Sequence, residues 1–291
     1  MEVYYINSLD DLPELEVNSC AIGNFDGLHL GHRELIEKAK IDDLKTLVIT
    51  FESINKTGYI TNGEQKINLI EEMGVDYLII LPFRVIQMVF YNEFMQILKK
   101  LKVKHITCGV DFRFGFKREG DIVDLKKKFK VQVLDDFMIN QTRVSTSLIK
   151  SFIQDGFIKE ANDLLTKPYT IIGEVVHGNK IGRKLGYPTA NIDYKEYTLP
   201  KSGVYLTVAK IKDKKYLSMT NIGHNPTLNA QEKSRLEIHV LDFDEEIYGE
   251  NIEISFIKYL REERKYESKE ELMKSLEETI DICREYKELI Y

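Results

Sequence analysis

The spacing of apolar residues changes once along the 291-residue chain, near Lys167 and Pro168. Before this point β-rich apolar runs alternate with helical patterns. The runs cover 46–51, 77–83, 105–110 and 131–137, and helices are predicted over 64–73 and 92–102. Such alternation predicts a parallel sheet with helices on both faces. Ligands of sheets of this kind lie beyond the carboxyl ends of the strands.

After a helical stretch at 145–165, short strands follow one another. They are predicted over 169–176, 203–211, 216–221, 236–243 and 252–260, with a hairpin turn at 212–214. Regular short strands predict a small antiparallel barrel. An amphipathic C-terminal helix follows, with a capping box at Ser268 and Glu271. Its apolar stripe consists of Met273, Leu276, Ile280 and Cys283. We therefore predict an α/β domain over 1–165 and a barrel domain over 166–291.

Composition narrows the class of protein. The net charge of −6 argues against a general nucleic-acid binder, and the lysine run at 126–130 is interpreted as a solvated helix face. No stretch approaches the ~18–20 apolar residues that span a bilayer. Three widely spaced cysteines, Cys20, Cys108 and Cys283, indicate a reducing compartment. We expect a cytoplasmic protein that binds neither membrane nor nucleic acid.

Residues 23–32 read GNFDGLHLGH and follow a short apolar run. This predicts a strand, a glycine-rich turn and a helix start, and a helix N-terminus favours phosphate. His29 and His32 lie where two imidazoles can hydrogen-bond phosphate oxygens, so we interpret the segment as a nucleotide-phosphate site. The further candidate contacts are Gly23, Phe25, Asp26 and Gly31. A metal half-site is an alternative, but no third ligand stands at suitable spacing.

The string resembles the HxGH signature of the nucleotidylyltransferase superfamily, in the form found in bacterial FAD synthetases. The resemblance implies that His29 and His32 face the ATP phosphates and stabilise charge as pyrophosphate leaves. One block departs from the family pattern. Where the family usually carries proline-histidine-proline, residues 51–56 read FESINK. A weakened adenylylation site is therefore an alternative.

Two further blocks are similar to that family. Residues 108–115 read CGVDFRFG, which implies that Asp111 holds a ribose hydroxyl or orients the flavin. A turn-stabilising carboxylate is the alternative. Phe112 and Phe114 are candidates for stacking on the flavin ring, with core packing as the alternative.

Residues 143–150 read RVSTSLIK and place three hydroxyls before a helix. This block resembles the family's RVSSTxIR, which implies a phosphate contact from Arg143. The implied hydroxyl donors are Ser145, Thr146 and Ser147. The family's Ser-Thr order is reversed here, and Lys150 replaces a final arginine. Lysine keeps the positive charge but cannot form a bidentate fork.

A second glycine-rich segment, 178–191, reads GNKIGRKLGYPTAN. Glycines let a loop surround phosphate with its N–H groups. Thr189 and Asn191 carry hard oxygen ligands suited to Mg²⁺. A surface loop is the alternative interpretation, but the string closely resembles the riboflavin kinase signature, and the chain has no Walker lysine motif. The phosphate contacts implied here are Gly178, Gly182 and Arg183.

Later segments resemble the same kinase family in order. Residues 203–205 and 221–227 are similar to loops near the flavin and nucleotide, which implies roles for Tyr205 and Asn221 respectively. The segment 235–249 carries apolar residues at alternate positions, so Glu237 lies on the opposite strand face. The resemblance implies that Glu237 is the general base for the ribityl 5′-hydroxyl. Arg261 aligns with an arginine near the flavin.

The resemblance extends over about 17–286, with five blocks in the order found in the bacterial bifunctional riboflavin kinase/FAD synthetase family. It implies two reactions: ATP and riboflavin give FMN, and a second ATP with FMN gives FAD and pyrophosphate, with Mg²⁺ as cofactor. We expect small-molecule partners and a monomer or weak homo-oligomer. The alternatives are a monofunctional riboflavin kinase, an enzyme that makes FAD alone, and a non-catalytic flavin- or nucleotide-binding regulator.

Overall fold

The computed structural model describes residues 1–52, 58–177, 186–195, 197–223 and 235–290. The chain forms two compact units, Met1–Thr146 and Ser147–Tyr291. The predicted domain boundary at residue 165 lies 19 residues further along the chain, after two helices that belong to the second unit by their contacts. One of these helices carries Asn162, whose side chain accepts from the Tyr169 N–H and donates to the Phe256 carbonyl oxygen.

The first unit is built on a parallel sheet. Its strands are β1 (Glu2–Tyr5), β2 (Ser19–Ile22), β3 (Thr46–Phe51), β4 (Tyr77–Leu81), β5 (His105–Gly109), β6 (Lys130–Leu134), β7 (Met138–Ile139) and β8 (Thr142–Arg143). Its helices are α1 (Leu30–Ala39), α2 (Gly63–Glu71), α3 (Phe83–Ile86), α4 (Tyr91–Lys100) and α5 (Ile122–Lys126). The short strands β7 and β8 pair with each other as a separate hairpin.

The sheet has the strand order β1-β4-β3-β2-β5-β6 and all its pairs are parallel. From β2 the chain first builds β3 and β4 on one side and then β5 and β6 on the other. This reversal produces a crevice at the carboxyl ends of β2 and β5, which is the usual ligand position in open α/β sheets.

The sheet is buried on both faces, as predicted. Alternate strand residues belong to two different core clusters. One cluster joins Ala21 and Val48 to α1 and α2, and the other joins Cys20 and Leu47 to α4 and α5. A sheet covered twice needs apolar residues at consecutive strand positions, which explains the continuous run in β3.

The second unit consists of helices followed by an antiparallel barrel. Its strands are β9 (Thr170–Val176), β10 (Ala190–Tyr194), β11 (Gly203–Ile211), β12 (Lys214–Gly223), β13 (Arg235–Val240) and β14 (Asn251–Arg261). Its helices are α6 (Thr146–Asp155), α7 (Ile158–Leu164) and α8 (Lys269–Arg284), of which α6 begins at the last residue of the first unit.

In the described part of the chain the six strands close in the order β10-β13-β12-β11-β14-β9. Val204, Leu206 and Val208 on β11 pack in one cluster with Ile280 and Cys283 of α8. The predicted helical stripe is therefore core packing. The intervening residues of β11 face the barrel interior, where the hydroxyls of Thr207, Ser218 and Thr220 are buried and hydrogen-bonded to one another.

The capping box predicted at the start of α8 is half correct. The Ser268 hydroxyl accepts from the Glu271 N–H at 3.1 Å. The Glu271 carboxylate, however, accepts from the N–H of Glu267 at 3.1 Å, one residue before the cap. The reciprocal bond is displaced because Glu271 reaches past the cap residue to the preceding N–H.

The predicted fold class is confirmed in both units. All three cysteines are buried and unpaired. In the described ranges, no helix combines the length and the apolar character needed to cross a membrane.

Candidate functional sites

The histidine segment lies at the crevice between β2 and β5. The chain leaves β2 through a bend in which Phe25, Gly27 and Leu28 have positive φ angles of 53°, 79° and 36°. His29 is then the N-cap of α1, and its Nδ1 accepts from the His32 N–H at 3.3 Å. Because Nδ1 is an acceptor, a neutral His29 ring carries its proton on Nε2.

The two imidazoles form a stacked pair. Their ring centres are 3.5 Å apart with planes at 17°, and Phe25 packs edge-on against His32 at 5.3 Å. His29 is 6% exposed. Burial lowers the pKa of His29 to about 4 and lowers that of His32 well below its usual value. Both rings are therefore neutral at pH 7, and such rings offer hydrogen bonds to phosphate without carrying a fixed charge.

Asp26, predicted as a phosphate contact, is engaged with the backbone. It is buried, and its Oδ1 accepts from the N–H groups of Ile60 and Thr61 at 2.9 and 3.1 Å. The Gly27 N–H in turn donates to the Thr61 hydroxyl at 3.0 Å. These bonds fix the bend against the residues that lead into α2.

Gly23 and Gly31 of the histidine segment lie close against aromatic residues of the protein. A Cβ on Gly23 would lie 2.9 Å from the Phe25 ring, and one on Gly31 would lie 3.0 Å from the Phe137 Cβ. Both positions were predicted to admit a ligand. The structure gives them a packing reason: each lets the bend or the first turn of α1 approach an aromatic residue closely.

Arg143 is paired with two carboxylates. Its Nη2 lies 2.7 Å from Asp111 Oδ2 and its Nε lies 2.9 Å from Asp136 Oδ1. Its charge also lowers the pKa of His29, after the larger effect of burial. The predicted residues His29, Asp111 and Arg143 therefore share one site. Since the ion pairs are half-exposed, each stabilises by only ~0–1 kcal/mol, and a phosphate can compete for the guanidinium.

The three predicted hydroxyls of 145–147 take different positions. Thr146 Oγ1, at the last residue of the first unit, donates to the Asp26 carbonyl oxygen in the bend at 3.4 Å. Ser145 precedes α6 and is half-buried. Ser147 is exposed and is the first residue of the second unit.

A cavity of about 410 Å³ opens at the carboxyl end of the parallel sheet. It meets the histidine bend through Asn24 and Asp26, although neither histidine lines it. Most of its wall is aromatic and aliphatic, with basic residues from the loop after β5. The lining includes Phe51, Tyr59, Phe83, Ile86, Val89, Phe94, Phe114, Arg113, Lys117 and Arg118. Its volume lies within the ~300–1,000 Å³ usual for small-molecule sites.

The two candidate flavin-stacking residues have different positions. Phe114 lines the cavity and is 5% exposed. Phe112 lies outside the lining and stacks on Phe114 with ring centres 5.8 Å apart and planes at 19°. Phe112 therefore supports Phe114 from the core, and the core-packing alternative describes it.

A buried lysine in this site was missed by the sequence analysis. Lys66, on α2, is 4% exposed, and its Nζ donates to the carbonyl oxygens of Asn24 and Phe51, both at 3.0 Å. The sequence does contain a pattern that indicates its burial, because Lys66, Ile70 and Met73 follow helical spacing on the buried face of this segment.

The second site is a row of side chains across the barrel. Asn191 on β10 and Asn221 on β12 are both cross-strand partners of Glu237 on β13. Directly paired residues of antiparallel strands point to the same face, so the three share one surface. Thr189 and Glu237 line a common cavity of about 200 Å³, together with Asn221 and Arg261. Four predicted kinase residues therefore meet at this cavity, and Asn191 adjoins them as the cross-strand partner of Glu237.

The Glu237 side chain is partly shielded from solvent. Its side chain is 21% exposed and lies 3.3 Å from the Arg235 Nε. Burial raises its pKa, Arg235 opposes this effect, and Glu263 adds to it. A carboxylate with a raised pKa is a better proton acceptor than an exposed one. This residue lines the cavity and does not point into open solvent.

Two polar groups lie beside Glu237: Asn221, which was predicted as a nucleotide contact, and His239, which was not predicted. His239 Nδ1 donates to the Pro188 carbonyl oxygen at 2.8 Å, which holds the segment that carries Thr189. The Asn221 amide donates to Glu263 Oε1 at 3.2 Å, while its Oδ1 is buried without a partner among the described residues. A buried oxygen of this kind requires an explanation, and a ligand supplies one.

The structure does not support a flavin contact by Tyr205. Its side chain is fully buried, donates its hydroxyl to the Lys201 carbonyl oxygen and packs against Phe256 and Tyr259. Successive residues of a strand point to opposite faces, and Val204 is the one that lines the Glu237 cavity. Arg261, in contrast, does line it, with its Nε donating to the Thr279 hydroxyl at 3.2 Å.

Several predicted features lie outside the described residues. These are Gly178, Gly182 and Arg183, most of the departing 51–56 segment, and the 224–227 part of the loop after β12. Within the described residues no group of three His, Cys, Asp or Glu side chains could hold a metal ion.

Comparison with known proteins matches a separate family model to each part of the chain. A family model described as FAD synthetase matches residues 12–148, and one described as riboflavin kinase matches residues 165–287. A Listeria monocytogenes protein named bifunctional riboflavin kinase/FMN adenylyltransferase is 36% identical over 280 residues, covering 88% of either chain. A Buchnera aphidicola relative with the same name is 34% identical over 309 residues, or 98% of this chain and 99% of its own.

A solved structure shares the fold over the full length. It is a Streptococcus pneumoniae protein described as a macrolide-efflux protein, with a TM-score of 0.89 and 30% identity. The match covers 99% of this chain and 100% of the other.

The fold and the two sites indicate a two-domain transferase that acts on nucleotide substrates. One site lies on an α/β sheet and the other on a barrel. The chain belongs to the bifunctional riboflavin kinase/FMN adenylyltransferase family. The resemblance stated from the sequence is thereby confirmed. Both domains occur in one chain, which supports the bifunctional interpretation over the monofunctional and regulatory alternatives.

Proposed function

We propose that the barrel unit transfers the γ-phosphoryl group of ATP to the 5′-hydroxyl of riboflavin, and that the α/β unit joins the resulting FMN to the AMP part of a second ATP. The proposal rests on the contrast between the two sites. In the barrel unit, the Glu237 carboxylate shares a cavity with the neutral oxygen groups of Thr189 and Asn221. The α/β unit instead carries the stacked, neutral His29 and His32. The first arrangement suits a hydroxyl nucleophile, and the second suits one that is already ionised.

In the kinase reaction, Glu237 accepts the proton of the ribityl 5′-hydroxyl as that oxygen bonds to the γ-phosphorus and ADP leaves. Its partial burial raises its pKa, which favours proton acceptance. The Arg261 side chain, held by Thr279, lies in the same cavity, and we assign it a contact with the flavin end.

Mg²⁺ fits the oxygen groups of this site. Thr189 and Asn191 would hold the ion through a hydroxyl and an amide oxygen. Asn221 Oδ1, which has no hydrogen-bond partner in the described ranges, is a further hard donor nearby. When bound, the ion would neutralise charge on the transferred phosphoryl group. Since no described group of three His, Cys, Asp or Glu side chains could hold a metal ion, ATP and water would complete the shell of the ion.

In the adenylylation, an FMN phosphate oxygen attacks the α-phosphorus of ATP and pyrophosphate leaves. The nucleophile is already an anion, so the site needs positioning and charge stabilisation rather than a base. The His29 Nε2–H, His32 and Arg143 act as donors to the phosphates. Asp111 and Asp136 orient the guanidinium. We propose that the flavin ring binds in the aromatic cavity beside Asn24, whose wall includes Phe114.

One assay tests both reactions. The protein is incubated with riboflavin, ATP and Mg²⁺, and the flavins are separated by chromatography. We expect FMN followed by FAD, and FAD alone as a new product when FMN is supplied. FMN without FAD would identify a monofunctional kinase. Bound flavin without any product would identify a regulator.

The remaining proposals concern the surroundings of the enzyme. We propose a cytoplasmic protein that acts as a monomer or weak homo-oligomer on small molecules and binds no nucleic acid. Light scattering during gel filtration tests the oligomeric state, and a gel-shift assay tests nucleic-acid binding.

A further inference from the structure

A cation is buried behind the histidine pair and is not used by the proposed chemistry. Lys66 is 4% exposed, and none of the described carboxylates lies within salt-bridge distance of its Nζ. Lysine is almost never fully buried unless it is paired, because an ammonium loses its hydration on burial. The position is therefore costly to the fold and requires a reason.

The contacts of Lys66 join two parts of the site. Its Nζ donates to the Asn24 carbonyl oxygen, at the start of the histidine bend, and to the Phe51 carbonyl oxygen, at the end of β3. The Thr50 hydroxyl donates to the same Asn24 oxygen at 2.9 Å. The bend is thus held at one end by Lys66 and Thr50, and at Asp26 by the backbone before α2.

The charge of Lys66 also reaches the titratable groups around it. Asp26, in the bend, partly offsets the lowering of the Lys66 pKa that burial causes, and Lys66 itself helps to lower the pKa of His32 on α1. Glu52, which follows Phe51, is exposed. A positive charge fixed in a dry region attracts a polyphosphate more strongly than one in water.

We propose that Lys66 is a positioning residue of the adenylylation site: it fixes the histidine bend against the end of β3 and places a positive charge behind the phosphate-binding histidines. This inference rests on the proposed adenylylation in the same unit. A neutral side chain that only tied the two carbonyl groups together would serve the first role and not the second.

Three substitutions separate these roles. Lys66→Arg keeps the charge and the donors, Lys66→Gln keeps donors without charge, and Lys66→Met keeps neither. We expect kcat/KM for ATP in FMN adenylylation to fall about 10- to 100-fold in Lys66→Met and Lys66→Gln, and to be retained best in Lys66→Arg. Lys100→Met, at an exposed position of α4, is the matched control and should not change the rate.

A pH profile gives a readout that a purely structural tie would not change. Burial lowers the pKa of Lys66 to about 8, so wild-type kcat/KM should fall as the pH rises through that value. Lys66→Arg should remove this alkaline limb, because arginine stays charged. In Lys66→Gln, NMR titration should show a higher pKa for His32, since a nearby positive charge is lost.

The outcomes are distinguishable. If the wild type makes no FAD from FMN, the proposed function fails before any variant is studied. If the wild type is active and Lys66→Gln matches its rate and its pH profile, the charge has no role and this inference fails. If Lys66→Met does not fold, as judged by near-ultraviolet circular dichroism, the Arg and Gln variants decide the question alone.

Discussion

The two sites treat carboxylates in opposite ways. In the α/β unit, Asp26 accepts backbone N–H groups and Asp111 pairs with Arg143. In the barrel, Glu237 faces a cavity, and its partial burial raises its pKa. Carboxylates thus support the fold in the first site, whereas in the second we propose that Glu237 accepts a proton.

The difference follows from the nucleophile that each unit is proposed to activate. A sugar hydroxyl must lose a proton while it attacks, so its site needs a base. The phosphate of FMN has already lost its protons at neutral pH, so its site needs donors. We propose the stacked His29 and His32 as these donors; their pKa values are low because burial disfavours the charged rings.

The largest expected effect is that of Glu237→Gln. The substitution replaces the carboxylate with an amide of the same shape and so removes the proton acceptor. FMN formation should therefore fall by ~10²–10⁴-fold. The wild-type rate should fall with decreasing pH below the raised pKa of Glu237, and the variant should lack this limb. Adenylylation of supplied FMN should be unchanged, as should both activities of Glu174→Gln, an exposed glutamate on β9. Equal loss of both reactions would contradict separate sites.

The reverse pattern is expected when His29 and His32 are both replaced by alanine. Loss of the donors should reduce adenylylation by ~10²–10³-fold, while riboflavin phosphorylation is retained. His105→Ala, at the start of β5 and so at the opposite edge of the sheet, is the control. Chromatography of the flavins measures both rates in one sample. A wild-type rate of FAD formation in the double variant would remove the histidines from the mechanism.

The low pKa of His29 has a consequence for stability. Between pH ~6.5 and about 4 the unfolded chain binds a proton at this residue and the folded chain does not, so stability is lost as the pH falls through this window. The loss amounts to roughly 3 kcal/mol. His29→Asn keeps a cap acceptor and removes the titration. Urea unfolding of both full-length proteins should show the variant gaining relative stability at pH 4.5 over pH 7.5; a constant difference would contradict the neutral ring.

The smallest expected effect concerns His239, which holds Pro188 and so the segment with Thr189. His239→Leu removes the donor and should raise the KM for MgATP in riboflavin phosphorylation by about 10-fold. His239→Asn presents an amide N–H near the position of Nδ1 and should recover most of the loss. The FMN adenylylation rate serves as the internal reference. An Asn variant as weak as the Leu variant would show that the ring, rather than its hydrogen bond, matters.

Strand positions were predictable from the sequence where burial alone determines the residue type. The bounds of β3 and β11 agree with the prediction, because long apolar runs have no other stable position. Predictions of side-chain direction were less successful. Tyr205 was expected at the flavin and faces the barrel interior, because a shift of one residue along a strand reverses the face.

The sequence by itself determined the two fold classes, the family and the pairing of the chemistry with each half, because periodicity and short motifs are local properties of the chain. The tertiary structure alone decided which groups are neutral, paired or without a partner. Contacts between distant segments determine the ion pairs of Arg143 and the burial of Lys66. They also determine the surroundings of the Asn221 oxygen, which has no hydrogen-bond partner among the described residues. The burial and the charge of a side chain depend on the residues that pack around it, and a short sequence pattern does not show which residues these are.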